Sequence, residues 1–309
     1  MQAVMYHYVR PNTDQPPYEY YYLDLEDFRR QLDYFEEEYG FVGRETFLSC
    51  LNGETGSTGE GIILTFDDGL RDHHEWVLPE LRRRGLWGLF FISGPLQKHL
   101  LPVHRIHSIL GTVDHKELID VYEDIVDESD ITDAGVEEFG EIYSEYDSAE
   151  RTQRFKRGLN YLVPYDRLPA IFEELNDRVA GTTQVDPAEF YMTREQLREL
   201  SEAGMLLGGH TVTHPALSRL SPEAQREEIH RSLEFIQDVA DPPVRTFAYP
   251  YGGSEMYNKT TVSILDKEDC DLAFTTEAGN FSPDDMQTAP LTLPRKDCNE
   301  YEHGEASIA

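Results

Sequence analysis

Residues 61–70, GIILTFDDGL, set an apolar run of strand length against two adjacent carboxylates and a glycine. The run is short, rich in β-branched and aromatic residues and bounded by glycine, as buried strands are. An Asp-Gly pair is ordinary turn punctuation, so alone it says only that a strand has ended. The construction acquires weight because it recurs along the chain.

QAVMYHYV (2–9), LWGLFFI (86–92), MLLGGH (205–210), VRTFAYP (244–250), DLAFTT (271–276) and APLTLP (289–294) read as further strands. Amphipathic segments lie between them. LDLEDFRRQLDYFEEEYG (23–40) carries apolar residues at helical spacing and stops at Gly40, and HHEWVLPELRRRG (73–85) stops at Gly85. Thr193 with Gln196 forms a capping-box start for the helix ending at Gly204, and Ser221-Pro222 opens the helix through Val239. Alternating strands and helices imply a parallel sheet. The expected fold is α/β, a distorted (β/α) barrel of about seven parallel strands. From about 94 to 186 strand character is lacking, and HKELIDVYEDIVDESD (115–130) and AERTQRFKRGLNYLV (149–163) read as helices. A single domain over 1–309 with a helical insertion at about 94–186 is expected. A separate small domain is the alternative.

The chain has 309 residues, with 59 acidic against 27 basic side chains and a net charge of −32. Nucleic acid and anionic membranes would be repelled and are not expected as partners. Of the cations, 21 are Arg and 6 are Lys. Such a carboxylate-rich, lysine-poor surface matches a halophilic protein, whose self-repulsion is screened at high salt. Three scattered cysteines, Cys50, Cys270 and Cys298, lack metal or disulfide spacing. The start MQAVMYHYVR is not a secretory signal and no apolar run can span a bilayer, so a cytoplasmic location without membrane insertion is expected.

Three polar clusters follow expected strands: FDDG after IILT, HTVTH (210–214) after MLLGG, and AYPYG after VRTF. In a parallel barrel the C-terminal strand ends share one face, so such clusters can meet there. His210 and His214 are four apart, which in one helical turn or a tight loop puts both imidazoles on one side. Two imidazoles and a carboxylate leave an open position on a zinc-like ion, as catalytic sites do. An isolated HxxxH pair also serves as a solvated or core pair.

In this order TFDDG (65–69), HTVTH (210–214) and RTFAYPYGG (245–253) resemble successive motifs of the polysaccharide deacetylase family, the NodB-homology carbohydrate esterases. The resemblance covers most of the chain outside the helical insertion. It implies a distorted (β/α) barrel and metal-dependent hydrolysis of an N-acetyl group on an amino sugar. It implies Asp67 as general base and Asp68, His210 and His214 as ligands of a divalent metal, zinc foremost. The backbone N–H of Tyr251 would hold the oxyanion. The chain departs from the family where Ala248-Tyr249-Pro250 replaces Arg before Pro-Pro. Arg295 in LTLPRKD is a substitute for that arginine or a surface charge. The late Leu-x-His histidine is also missing, and His7 in MYHYVRP resembles the Tyr-His of poly-N-acetylglucosamine deacetylases, either as general acid or as a core histidine.

His73, His74, His104 and His107 have no partner motif and are read as solvated or structural. PPYEYYYL (16–23) offers rings for sugar stacking or for packing on the barrel. The implied substrate is an amino-sugar saccharide, expected as a nucleotide- or lipid-linked precursor. Alternatives are hydrolysis of another amide, such as a formamido sugar or a ureide, and a silent carbohydrate-binding barrel.

Overall fold

The computed structural model describes residues 1–12, 21–54, 59–95, 99–126, 131, 150–179 and 185–306. The chain divides into two compact units. The first takes the described parts of Met1–Asp14, Tyr21–His99 and Pro187–Ile308, and the second those of Leu100–Asp186.

The first unit is a distorted (β/α) barrel. Its strands are β1 (Gln2–Tyr6), β4 (Ile62–Phe66), β5 (Gly88–Ile92), β6 (Leu206–Gly209), β7 (Thr246–Ala248), β8 (Leu272–Phe274) and β9 (Lys296–Asp297), in the spatial order β8-β7-β6-β5-β4-β1-β9. All neighbours are parallel. Two short strands, β2 (Val9–Arg10) and β3 (Leu23–Asp24), pair separately. The last expected strand, APLTLP, is displaced. Pro290–Thr292 forms a 3-10 turn, Leu293 bridges Phe274 of β8, and the strand itself falls at Lys296–Asp297 against β1. Pro290 and Pro294 have no N–H to give a ladder, which moves the pairing past them. The segment 293–297 thereby reaches both edges of the curled sheet.

The central strands are buried along their whole length, β4 and β5 at every residue, as parallel strands covered on both faces must be. Phe66 stacks between Tyr6 and Phe90 at centroid distances of 5.2 and 4.6 Å. Ile63, by the two-residue period, lies on the opposite side with Ala3, Leu89, Phe91 and Phe274. Each such aromatic or aliphatic side chain contributes about 1.5–3 kcal/mol on full burial. In β6 two glycines are needed: a Cβ on Gly208 would stand 2.4 Å from Thr246 Oγ1, and one on Gly209 2.9 Å from Ser232 Oγ. Gly208 admits the Thr246 and Phe91 side chains of the neighbouring strands, and Gly209 admits the helix Pro222–Ala240.

Helix ends follow their caps. Asp24 accepts from Glu26 N at the head of Leu25–Glu38, the Thr193–Gln196 capping box starts Arg194–Glu202, and Ser221 accepts from Ala224 N. The segment HHEWVLPELRRRG begins with a π turn, His73–Val77, before the helix Leu78–Arg84. Leu78 N–H bonds His73 O just ahead of Pro79, which has no N–H to continue the ladder. Between the helices, buried Glu80 collects Arg29, Arg83 and Arg84 at 3.1, 2.5 and 2.7 Å.

The second unit is helical. Pro102–Thr112, His115–Ile125, Glu150–Arg157 and Leu168–Arg178 bury Ile106, Leu118, Phe155, Leu159, Phe172 and Leu175 in one core. Arg105 lies 4.2 Å from the Phe172 ring centroid, and His104 is fully buried. Residues 16–20 of the tyrosine patch lie outside the described residues; Tyr21 is exposed and Tyr22 buried. No helix among the described residues is long and apolar enough to cross a membrane.

Candidate active site

Asp67 continues the Ile63–Thr65 row of β4 toward the barrel interior, and then the chain turns. Asp68 and Gly69 follow with φ of +75° and +70°. Two successive left-handed residues end the strand's alternation, so the neighbouring carboxylates acquire different surroundings. Both are buried, at 2% and 3% exposure.

Asp67 meets Arg295. Nη1 and Nη2 of the guanidinium donate to Oδ1 and Oδ2 at 2.7 and 2.8 Å, a bidentate pair. Arg295 is itself fully buried; its Nε donates to Thr275 O at 3.0 Å and its plane lies 5.4 Å from the Phe91 ring. Burial alone would raise the Asp67 carboxyl, but the Arg295 charge overrides it and holds the group below its usual value. The chain therefore supplies a buried arginine for Asp67 although Ala248 stands where the resemblance places the Arg before Pro-Pro. Tyr249, the next residue, is buried, stacks on Tyr257 at 4.2 Å and donates to Leu291 O.

Asp68 faces the histidine loop. His210 Nε2 and His214 Nε2 lie 3.5 and 3.4 Å from Asp68 Oδ1, and all three donors fall within 4.8 Å of one another. These separations fit a metal: ligand atoms about 2.1 Å from a tetrahedral ion lie about 3.4 Å apart. The tautomer fits as well. His210 Nδ1 is 2.7 Å from Ala248 O, which can only accept, so Nδ1 carries a proton and Nε2 is the ring nitrogen that a neutral imidazole would offer to a metal. Three protein donors leave a fourth position for water or substrate.

The loop is held from the helix Pro222–Ala240. Ser232 Oγ accepts from His210 N at 3.1 Å, and Glu228 Oε2 accepts from the N–H groups of Val212 and Thr213 at 2.7 and 2.9 Å. Thr211 and His214 have φ of +63° and +59°. Thr211 is β-branched, for which this conformation is strained, and such strain concentrates at functional sites. The Tyr251 ring packs edge-on against His214 at 4.7 Å, and Tyr251 too has φ of +62°.

His7 follows β1, and because Tyr6 pairs with Phe66 it lies alongside Asp67, whose N–H donates to Tyr6 O at 3.0 Å. Its own carbonyl accepts from His73 Nε2 at 2.8 Å. His73 is fully buried against Phe66 and Phe90, and burial pulls it down to about 4, so the ring is neutral. It is a core support of the site where the sequence reads only a solvated or structural residue. His74 is tied to Glu199 at 2.7 Å instead. Glu228, Ser232 and His73 carry no motif; their importance comes from tertiary contacts, and in sequence they look like any residue of an amphipathic helix.

Residues 142–272 match the family described as polysaccharide deacetylase, a span that includes His210, His214 and Tyr251 and leaves Asp67 and Asp68 outside. YxkH of Bacillus subtilis (strain 168), which carries the polysaccharide deacetylase name, is 29% identical over 94 residues, 30% of this chain and 33% of the relative. The alignment thus spans about a third of that relative. The deacetylase PplD of Streptococcus pyogenes, solved with acetate, superposes at a TM-score of 0.55 with 18% identity over 96% of this chain and 91% of its own. IcaB from Ammonifex degensii gives 0.51 and 19% over the same shares. A de-N-acetylase from Aggregatibacter actinomycetemcomitans gives 0.55 and 12% over 96% and 93%. At these identities the structural likeness shows the fold alone, and over residues 142–272 the chain is similar to the polysaccharide deacetylase family.

Proposed function

We propose that the chain is a metal-dependent hydrolase that removes the N-acetyl group from an amino sugar within a saccharide, and that the helical unit is an insertion in one deacetylase-like domain. The observation that carries this is a pair of adjacent carboxylates with separate partners: Asp68 within 3.5 Å of two imidazoles, Asp67 clamped by Arg295. A divalent cation, zinc foremost, bound by Asp68, His210 and His214 would polarise the amide carbonyl and lower the pKa of water.

The chain's own residues then divide the work. Asp67, kept ionised and aimed by Arg295, takes the proton from the water that attacks the carbonyl carbon. The Tyr251 N–H donates to the oxygen on which negative charge develops, a contact strongest in the transition state. His7, beside Asp67, gives a proton to the nitrogen as the C–N bond breaks, so that acetate and a free amine leave. Like the family match over 142–272, the Tyr-His at the end of β1 supports an N-acetylglucosamine-type substrate. The acidic, lysine-poor surface supports a protein suited to high salt.

The test is zinc content together with acetate release from an N-acetylglucosamine oligosaccharide. Wild type is expected to hold one equivalent and release acetate, Asp67→Asn to hold zinc without turnover, and Asp68→Ala to lose both. Equal zinc loss in both variants would show the carboxylates wrongly assigned. A zinc-loaded wild type without turnover on amide substrates would favour the silent carbohydrate-binding barrel.

A further inference from the structure

Beyond β8 the chain continues through Thr275, Thr276 and Glu277, three residues outside the motifs that nonetheless touch both halves of the site. On one side Thr275 O accepts from Arg295 Nε at 3.0 Å, and Glu277 O accepts from Arg295 N at 3.1 Å. These contacts set the arginine that grips Asp67. On the other side Thr276 Oγ1 donates to Tyr251 O at 3.0 Å, Thr276 N donates to Gly252 O at 3.0 Å, and Glu277 Oε1 accepts from Ser254 N at 3.0 Å. Those contacts set the loop whose Tyr251 lies over His214.

The loop needs such a hold. Tyr251 and Gly252 are left-handed in succession, with φ of +62° and +61°. For tyrosine that conformation is disfavoured and persists only where its surroundings impose it. The approach is close: a Cβ on Gly252 would stand 2.4 Å from Thr276 Cγ2 and 2.6 Å from Thr276 N. Glycine at 252 therefore admits Thr276, whose hydroxyl then fixes the Tyr251 carbonyl and with it the orientation of the adjoining backbone.

We propose that Thr275–Glu277 is a brace between the Asp67–Arg295 pair and the Tyr251 loop, with the Thr276 hydroxyl as its positioning residue. The inference rests on the deacetylase reading for its kinetic consequence but not for its structural one. Thr276 acts through Tyr251 and touches no reacting atom.

The experiment compares Thr276→Val, which keeps the shape and deletes the hydroxyl, with Thr276→Ser, which keeps the hydroxyl. Crystal structures of both variants are combined with acetate release from an N-acetylglucosamine oligosaccharide. In Thr276→Val, Tyr251 is expected to leave the left-handed region or its ring to leave His214. Its kcat is expected to fall about 10- to 100-fold with KM and zinc content little changed, less than the roughly 100- to 1,000-fold typical of deleting an oxyanion donor. Thr276→Ser is expected to retain the loop and recover most of the turnover. A Tyr251 backbone and ring both unchanged in Thr276→Val overturn the brace whatever the kinetics, and so does equal damage in the two variants. The wild-type control separates the claims: zinc-loaded wild type that releases no acetate sinks the deacetylase reading and leaves the loop structures to judge the brace, whereas normal turnover in both wild type and Thr276→Val sinks only the brace.

Discussion

Replacing Arg295 by Met leaves Asp67 as an ionised carboxylate only 2% exposed, without its two hydrogen bonds of 2.7 and 2.8 Å. Breaking a buried pair from one side costs about 3–5 kcal/mol, because the remaining charge has neither water nor partner. Domains are stable by only about 5–15 kcal/mol, so the loss is a large share. Asp67→Asn strands Arg295 in the same way and is expected to cost a comparable amount. Removing both charges abolishes the stranding, since a buried pair exchanged for less polar groups is often close to neutral. The double variant is therefore expected to be more stable than the sum of the single losses predicts, by about 2 kcal/mol or more. Urea denaturation of metal-stripped protein at neutral pH measures this. Both tryptophans, Trp76 and Trp87, lie in the barrel unit, so their fluorescence follows the unit that holds the pair. Additivity within about 0.5 kcal/mol would refute the argument that this pair is closed and mutually dependent.

Further outcomes follow from the same structure. Glu80, hydrogen-bonded to three arginines that override its burial, is lowered from 4.5 to about 2. Its depressed pKa contributes stability that is complete above about pH 5 and is lost as the pH falls toward 2. Glu80→Gln should therefore cost about 1–3 kcal/mol at neutral pH, with screening at exposed Arg83 included, and the gap from wild type should close near pH 2; a constant gap would refute it. With a net charge of −32, the melting temperature is expected to be at least as high in molar KCl as in dilute buffer, and a steady fall with KCl would refute the screening argument. His7→Ala is expected to lower turnover about 100-fold or more with zinc retained, as loss of a general acid does. An unchanged rate would return His7 to a structural role.

The barrel was legible because strands covered on both faces read as unbroken apolar runs, as in GIILTF and LWGLFFI. The terminal strand was not, because its two residues, Lys296–Asp297, lack any apolar signature, and Ala289, Leu291 and Leu293 before them imitate a strand by composition. The chemistry-bearing residues were legible as motifs after strands, and the family resemblance already implied their division into base and metal ligands, but the geometry of that division required coordinates. Nothing in DDG says that Asp68 turns at φ +75° toward two histidines while Asp67 stays on the interior row. Arg295 could be named as an alternative to a solvated charge, and its complete burial against Asp67 excludes the solvated charge. The supporting contacts of His73 and Glu228 left no signal for a common reason: each holds backbone, and backbone contacts leave no residue pattern.

The most direct test is acetate release from an N-acetylglucosamine oligosaccharide while zinc is titrated into metal-stripped wild-type protein. Release is expected to rise with zinc to a plateau at one equivalent, and to be absent at every zinc level in Asp67→Asn. Release that is full before zinc is added, or that persists in Asp67→Asn, would contradict the assignment of adjacent carboxylates to metal and base.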